Sequence, residues 1–405
     1  MNKAILKNKN FAKVYISTCI SRFGDGLDDI AFAIILYSIS KSTLVTSYVF
    51  AIKVIFSFIT IFTGALSDRM NKKKMVFYGE VGQAIILIIL ILLNKYFKLN
   101  TNILILFSTV QAFLSTWTMP AKNTLSLLTM DKNKLVESKA LMNVSLQIIQ
   151  ILSYSISGVL IAKIGAFYLL FFDSITFVIS SLLFISIEYK EKESSYPTIK
   201  DFKEDIKEGF LFIRNRKIIN IILILSFGGN VLMAPIDAIM PAYFENYFKS
   251  YGYSSFMVVL TIGGIVSASM LSKVYNKISE FKLFIIGFGF GAIGTLGLTI
   301  VSSNAIVCIS AFSIGVSFSL VSILNSNILQ KLTPDNMLGR VFSIFKCISY
   351  LSSPLGMILA GVSGEYIQIR YIFLVSGTLM IGLTIIGFYY LKNESFKVNG
   401  IIRRV

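Results

Sequence analysis

The sequence predicts an all-α membrane protein with twelve transmembrane helices, arranged as two related halves of six helices each. Apolar residues make up 55% of the 405-residue chain and charged residues only 15%, too few for the surface of a soluble protein of this length. Apolar stretches of about 20 residues, the length that spans a bilayer, also recur from one end of the chain to the other.

Twelve apolar segments can be placed along the chain, separated mostly by short polar loops. The amino-terminal residues 1–10 are basic and lead directly into the first segment, which predicts a retained helix and not a cleaved signal peptide. The predicted spans are residues 11–38, 44–66, 75–94, 101–121, 140–162, 165–187, 218–244, 252–272, 283–301, 304–330, 341–364 and 371–391.

The basic residues are distributed unevenly between alternate loops. The formal net charge is +17, and about three quarters of the 38 Lys and Arg residues fall on the side that holds both termini. A nucleic-acid-binding surface has no reason to alternate loop by loop, so that function class is excluded. The positive-inside rule predicts instead that both termini lie in the cytoplasm.

The chain is predicted to divide near its middle. The two six-helix bundles are residues 1–187 and 218–391, followed by a cytoplasmic tail at 392–405. The connecting segment, 188–217, is hydrophilic. Within it, residues 201–216 alternate charged and apolar side chains at helical spacing, which predicts an amphipathic helix on the membrane surface.

A weak internal repeat indicates that the two halves are related. Segments recur at an offset of about 202 residues, half the chain length. Ser-Arg-Phe-Gly at 21–24 corresponds to Ser-Phe-Gly at 226–228, and residues 123–139 precede span 5 as residues 325–340 precede span 11. Two six-helix halves related by an axis along the membrane normal are a common transporter architecture.

The loop between spans 2 and 3 carries the most specific motif of the chain. A glycine permits close helix approach, an aspartate can meet a helix amino terminus or a cation, and a basic cluster holds the loop in the cytoplasm. The pattern resembles the signature loop of the major facilitator superfamily, and the resemblance implies that Asp68 helps to latch the two halves together on the cytoplasmic side. The matching residues are Gly64, Leu66, Asp68, Arg69, Lys72 and Lys73.

Two further segments narrow this resemblance. Pro-Ala-Lys at 120–122 is similar to the segment after span 4 in the macrolide-efflux and enterobactin-exporter-like branch of the superfamily. Residues 332–335 and 339–343 resemble the equivalent segment after span 10. Asn71 replaces the usual glycine of the signature loop, a change that is permitted because Asn tolerates positive φ.

Span 1 holds four ionisable residues, and a charge at the bilayer centre costs at least about 2.5–3.5 kcal/mol. Arg22, Asp25 and Asp29 lie within about 60° of one another on a helix, with Asp28 to one side. Arg22 is expected to hold Asp25 as an ion pair, which leaves Asp28 or Asp29 less compensated. A desolvated carboxylate without a close cation can bind and release protons, so the three aspartates are candidates for proton coupling.

A structural interpretation of Asp25 stays open beside this one. Gly24 and Gly26 could break the first helix and place Asp25 in a hydrated vestibule, where it would cap a helix end. Asp28 and Asp29 lie deeper, with one local cation for three acids, and are the stronger candidates for proton coupling.

Four more charged residues fall within predicted spans. Lys53 lies about ten residues from either end of span 2, too far to snorkel, and is expected to pair with a span 1 aspartate. Lys346 lies nearer the cytoplasmic end of span 11 and is expected to snorkel. Asp237, between two prolines of span 7, is either a proton-coupling residue facing the pathway or a residue near the external mouth. Asp173 is placed near the interface, without an assigned function.

Uncharged polar residues complete the candidate substrate pathway. Asn143, Gln147 and Gln150 follow helical spacing in span 5, and Asn230 lies in span 7. Trp117 is a candidate for an apolar wall around a lipophilic ligand, although such residues more often face lipid or neighbouring helices.

The resemblance implies secondary active transport by alternating access, with a small-molecule substrate, protons and the lipid bilayer as partners. We expect a monomer, and the Lys-, Ile- and Asn-rich composition indicates a bacterial plasma membrane. The expected activity is proton-coupled export of a hydrophobic or cationic compound. The alternatives are export of an endogenous metabolite such as a siderophore, transport of a lysophospholipid, or a non-transporting membrane sensor. The sequence has no histidine, phosphate-binding loop or metal-ligand cluster, so an enzyme, a cofactor and a metal are not expected.

Overall fold

The chain folds into thirteen α-helices over the residues that the structure describes. The computed structural model covers residues 8–69, 71–130, 134–188, 199–249, 252–275, 277–300, 303–334 and 337–402, with side chains except at 59–69, 136, 199–206, 350 and 392–402. The helices are α1 Lys9–Ser40, α2 Thr43–Arg69, α3 Lys72–Tyr96, α4 Thr101–Thr129, α5 Leu135–Ile164, α6 Ala166–Ile185, α7 Ile199–Asn215, α8 Lys217–Tyr247, α9 Gly252–Val274, α10 Glu280–Gly297, α11 Asn304–Leu332, α12 Leu338–Tyr366 and α13 Ile369–Ile402.

All of these helices except α7 follow the predicted spans in order. Ten of the helices in the described part are long and apolar enough to cross a bilayer. α1 has 32 residues and carries four ionisable side chains in its middle, and the described side chains of α2 form a shorter apolar stretch, Thr43–Phe58. The all-α membrane fold predicted from the sequence is confirmed.

The helices divide into two compact units. The predicted halves place the whole of α8 in the second half, but the boundary between the units falls inside this helix. The carboxyl end of α8 belongs to unit 1, where Glu245 forms an ion pair with Lys41. Unit 1 comprises Met1–Ser194 and Pro241–Ser255, and unit 2 comprises Ser195–Met240 and Phe256–Val405.

Asparagine caps begin three helices of unit 1. Asn8, Asn71 and Asn100 each accept a hydrogen bond from a backbone N–H of the first helical turn, which satisfies a donor that has no partner within the helix. Asn71 has φ −65° and ψ 106°, so it does not adopt the positive φ that its place in the signature loop suggests. Its role is to cap α3.

α4 is longer than the sequence predicts. The predicted span ends at residue 121, whereas the helix continues to Thr129. Pro120 lies inside the helix and does not end it, since a proline removes only one backbone donor. Lys122 is therefore a residue of the helix and not of a basic loop.

α1 runs without a break through all 32 of its residues, so the interpretation that Gly24 and Gly26 interrupt it is wrong. The two glycines instead allow neighbouring helices to approach. A Cβ at Gly24 would lie 2.1 Å from Asp173 Oδ1 on α6, and a Cβ at Gly26 would lie 2.0 Å from Ser153 Oγ on α5. Both distances are shorter than van der Waals contact, so these helix contacts require glycine.

Two helices of unit 2 approach so closely that their backbones are in contact. A Cβ at Gly263 of α9 would lie 2.3 Å from the carbonyl oxygen of Phe312 on α11. A Cβ at Gly315 of α11 would lie 1.9 Å from the carbonyl oxygen of Leu260 on α9. Lipid is as apolar as a leucine side chain, so close packing at small residues replaces the hydrophobic effect in holding such helices together.

The segment with the predicted amphipathic pattern contains α7, which packs against α12 in unit 2. The Arg340 guanidinium donates to the Glu208 carboxylate at 2.5 Å. Gly209 brings the two helices together, since a Cβ there would lie 2.6 Å from Ile344 Cδ1. These contacts attach α7 to unit 2.

Gly315→Ala is expected to lower the free energy of unfolding by about 1–3 kcal/mol, because the added methyl group meets a backbone oxygen that cannot move aside. The matched control is Gly289→Ala in α10, where an added Cβ has nothing within 4 Å. The control should keep or raise the thermal midpoint, because alanine is the better helix former. Midpoints of the purified variants in detergent measure the difference, and equal midpoints would contradict the described α9–α11 contact.

Candidate functional site

Charged side chains from five helices meet in the interior of unit 1. Three of the carboxylates are almost inaccessible, with Asp28 4% exposed and both Glu80 and Asp173 0% exposed. Electrostatic interactions connect these acids to one another and to nearby bases. The group, here named the unit 1 charge cluster, comprises the acids Asp25, Asp28, Asp29, Glu80 and Asp173 and the bases Arg22, Lys53 and Lys122.

The Glu80–Lys122 ion pair lies at the centre of this cluster. Lys122 Nζ is 2.6 Å from Glu80 Oε1, and the two side chains are 17% and 0% exposed. Lys122 also donates to Ser21 Oγ at 3.0 Å, and Ser180 Oγ donates to Glu80 Oε1 at 2.9 Å. One ion pair thus joins α1, α3, α4 and α6.

Asp25 is half-buried, and two cations and two acids act on it. The sequence predicts Arg22 as its partner, and the structure adds Lys122, because the longer α4 carries this ammonium group into the same region. The two acids are Asp29 and Glu80.

Asp28 lies deeper and has a different set of neighbours. Gln111 Nε2 donates to Asp28 Oδ2 at 3.2 Å, while Asp28 Oδ1 is buried without a hydrogen-bond partner. Lys53 is the cation that acts on Asp28. The Lys53 ammonium lies 5.0 Å from the centroid of the Phe32 ring, a cation–π distance, so this lysine is directed inward within unit 1.

Asp173 is fully buried within unit 1. The sequence places this residue near the membrane interface, and its side chain packs against α1 at Gly24. Thr176 Oγ1 donates to Asp173 Oδ1 at 2.9 Å.

Glu80, Lys122 and Gln111 are the residues of this site that the sequence analysis missed. Lys122 was assigned to a basic loop because the predicted end of span 4 came too early. Glu80 is the only acidic residue of span 3, and a lone acid in a span requires a partner, which could have indicated an unrecognised base nearby. Gln111 has no comparable signal, since an isolated glutamine is common in membrane helices.

The residues of the signature loop are described only in part. The side chains of Gly64, Leu66, Asp68 and Arg69 lie outside the described residues. Lys72 is buried. Lys73 Nζ donates to the carbonyl oxygen of Ile187 at 2.6 Å, just beyond the end of α6, which is a favourable place for a cation because helix carboxyl ends carry partial negative charge.

Unit 2 contains a cavity of about 360 Å³ with a polar and aromatic lining. Asp237 and Lys346 are among its lining residues. Asn230 lines the cavity and donates to the backbone oxygen of Ser349 at 2.7 Å and to its hydroxyl at 3.1 Å. Further lining residues are Ser226, Ser317, Asn325, Phe318, Phe342 and Phe345.

A serine contact at equivalent sequence positions occurs in both units, but its partner is charged in one unit and neutral in the other. In unit 1, Ser21 of α1 binds Lys122 of α4 at 3.0 Å. In unit 2, Ser226 of α8 donates to Asn325 of α11 at 3.0 Å, and these residues lie at almost the same offset in the sequence. The repeated contact is therefore charged in unit 1 and neutral in unit 2.

The remaining candidates from the sequence occupy other surfaces of unit 1. Asn143 and Gln147 on α5 are exposed, and Gln150 donates to the Tyr154 hydroxyl at 2.8 Å. Trp117 lines a mostly apolar cavity of about 350 Å³ between α3 and α4.

The family comparison decides the class of the protein. The sequence profile described as Major Facilitator Superfamily matches residues 14–356 and also residues 282–401. The chain belongs to the Major Facilitator Superfamily. The resemblance inferred from the loop after span 2 is confirmed, and the protein is a membrane transporter and not an enzyme.

Relatives of this superfamily member include bacterial transporters. It is 25% identical to the uncharacterized MFS-type transporter YfiS of Bacillus subtilis (strain 168) over 421 residues, covering 96% of this chain and 95% of the relative. It is 23% identical to Macrolide efflux protein A of Streptococcus pyogenes over 337 residues, covering 80% and 81%. The nucleoside transporter NupG has the same fold, with a TM-score of 0.77 at 13% identity over 97% of this chain and 100% of that one.

Lys122→Met is expected to lower the free energy of unfolding of the transporter by about 3–5 kcal/mol, because Glu80 is left buried without its cation. Adding Glu80→Gln should recover part of that loss, since the unpaired charge is removed. The control Lys331→Met removes a 53%-exposed partner of Glu280 and should cost less than about 1 kcal/mol. Size-exclusion chromatography after graded heating measures all three, and a Lys122→Met variant as stable as wild type would contradict the proposed importance of the pair.

Proposed function

We propose that this transporter exports hydrophobic or cationic small molecules in exchange for protons, by alternating access. The unit 1 charge cluster carries the proposal, because five carboxylates share three cations among helices that have little access to water. The negative charge that the cations do not balance is available for protons or for a cationic substrate. The similarity to Macrolide efflux protein A supports export as the direction and drugs as the substrate class.

Asp28 is the proton-coupling residue that the contacts favour most. It is buried, it accepts one hydrogen bond from Gln111, and its other oxygen has no partner. A proton on Asp28 and a cation beside it satisfy the same negative charge, so each favours the release of the other. That competition is the exchange that antiport requires. Asp25 and Asp29 remain candidates because they are electrostatically linked to Asp28.

The unit 2 cavity is proposed to hold the part of the substrate that contacts the second half of the transporter. Its phenylalanines offer apolar contact to a lipophilic body, and its serines and asparagines offer hydrogen bonds without a fixed net charge. The lining of the cavity also includes one acid, Asp237, and one base, Lys346. In this proposal Asp237 contacts substrate or carries a proton, and Asn230 and Lys346 orient the substrate.

The proposed setting is a bacterial plasma membrane, with the protein acting as a monomer and both termini in the cytoplasm. The basic residues of alternate loops support this orientation. The working halves are proposed to be residues 1–187 and 218–391, joined by 188–217. Fluorescent and periplasmic-phosphatase reporters fused after residue 391 test the orientation. Fluorescence without phosphatase activity is the expected result, and phosphatase activity would overturn it.

Bacteria that lack their own efflux pumps should accumulate less ethidium and less erythromycin when they express the wild-type protein, and a protonophore should remove the difference. Asp28→Asn is expected to slow proton-driven efflux by about tenfold or more, within the usual range of coupling free energies. Asp28→Glu should restore part of the rate, because it keeps a titratable carboxylate. Tyr366→Phe, at a side chain 84% exposed, is the expression-matched control.

Efflux by wild type that a protonophore does not affect would overturn proton coupling. Unchanged accumulation of every compound, with the protein present in the membrane, would overturn drug export and favour an endogenous metabolite such as a siderophore or a lysophospholipid. Full activity of Asp28→Asn would direct attention to Asp25, Asp29 and Asp237.

A further inference from the structure

Asp173 is a buried acid that the proposed exchange at Asp28 does not yet use. Its side chain is 0% exposed. α1 provides the space for it through Gly24, where a Cβ would lie 2.1 Å from Asp173 Oδ1 and 2.0 Å from Thr176 Oγ1. The absence of a side chain at Gly24 therefore allows this carboxyl group to pack directly on the α1 backbone.

The hydrogen bonds around Asp173 are too few for a carboxylate ion. The only hydrogen-bond partner described for Oδ1 is Thr176 Oγ1 at 2.9 Å, whose single proton is shared with the backbone oxygen of Asp173 at 2.8 Å, and Oδ2 is buried without a partner. An ionised carboxylate has about four acceptor sites, and a buried ion with most of them empty is strongly disfavoured relative to the neutral acid. The geometry therefore favours a proton on this group.

The charged groups around Asp173 are mostly acids. Asp28, Asp25 and Asp29 of α1 act on it, and so does the cation Lys122 of α4, whose ammonium group is already paired with Glu80 at 2.6 Å. α1 also carries Arg22, which acts on Asp25. Glu80 of α3 accepts a hydrogen bond from Ser180 of α6, and Tyr154 of α5 lies beside Gly26.

A metal ion does not offer another solution for these acids. Among the side chains that the structure describes, no group of three or more His, Cys, Asp or Glu residues is arranged to hold a metal. A proton needs only one oxygen, and Asp173 offers one at Oδ2.

We propose that Asp173 holds a proton in this conformation and is a second proton-binding residue of the transporter, linked to Asp28 across the α1–α6 contact. The proposal rests on the proposed proton coupling and extends it to α6. Loss of the proton leaves a carboxylate beside a cation, Lys122, that is already paired with Glu80. α1 and α6 must then separate enough for water to reach Asp173, so proton release and the packing of α1 are coupled.

Infrared spectroscopy of the full-length protein in liposomes tests this directly, without a substrate. A protonated carboxylic acid has a C=O stretch distinct from that of a carboxylate, and the band shifts in heavy water. Wild type should show such a band at neutral pH, and Asp173→Asn should lose one component of it. The control Asp237→Asn, in unit 2, should keep that component. A band unchanged by Asp173→Asn would overturn the proposal.

Thr176→Val provides a second test if Asp173→Asn does not fold. Valine keeps the shape of threonine but removes the hydroxyl that donates to Asp173 Oδ1, so the acid C=O stretch should move to higher frequency. An unchanged stretch would overturn the assignment. Efflux measurements are independent of this band: a wild-type protein that exports without proton drive overturns the proposed function, whereas the infrared result decides whether Asp173 is protonated.

Discussion

Five carboxylates and three cations lie inside unit 1, where water does little to screen them. The Glu80–Lys122 pair gives one buried acid a cation at Oε1, and Ser21 and Ser180 add hydrogen bonds to the pair from α1 and α6. The pair therefore organises four helices. The acids that remain outside it, above all Asp28 and Asp173, are held by packing in places where ionisation is costly. Such groups are suited to exchanging protons, because a small change in packing changes which form is stable.

The comparison of the two units suggests how the work of transport is divided. Ser21–Lys122 in unit 1 and Ser226–Asn325 in unit 2 are the same contact, yet one carries a charge and the other does not. Asn230 corresponds by the same offset to the position of Asp25. In the proposed mechanism, the unit 2 cavity, whose lining is uncharged except for Asp237 and Lys346, holds varied lipophilic compounds, and the charged unit 1 responds to protons. Two related halves would in this way couple a broad substrate range to a specific ion.

Much of the fold follows from the sequence. Long apolar stretches and the alternation of basic loops identify the membrane helices, because lipid imposes length and charge rules that local packing cannot override. The site is harder to predict. The predicted span 4 ends at residue 121, which leaves Lys122 in a loop and hides the partner of Glu80, whereas α4 continues to Thr129. The burial of Asp173 was equally hard to predict, because nothing in the sequence shows that Gly24 makes room for it. Contacts between side chains of different helices depend on how the helices pack, and the residues around each position in the sequence do not show that packing.

Substrate-driven proton movement in proteoliposomes is the most direct test of this coupling. The wild-type protein is reconstituted with a pH-sensitive dye inside, and ethidium, a permanent cation, is added outside. We predict that the lumen becomes alkaline as ethidium enters and protons leave, and that Asp28→Asn abolishes the pH change. Ethidium uptake by the wild-type protein above that of protein-free liposomes, with no exit of protons, would contradict the coupling.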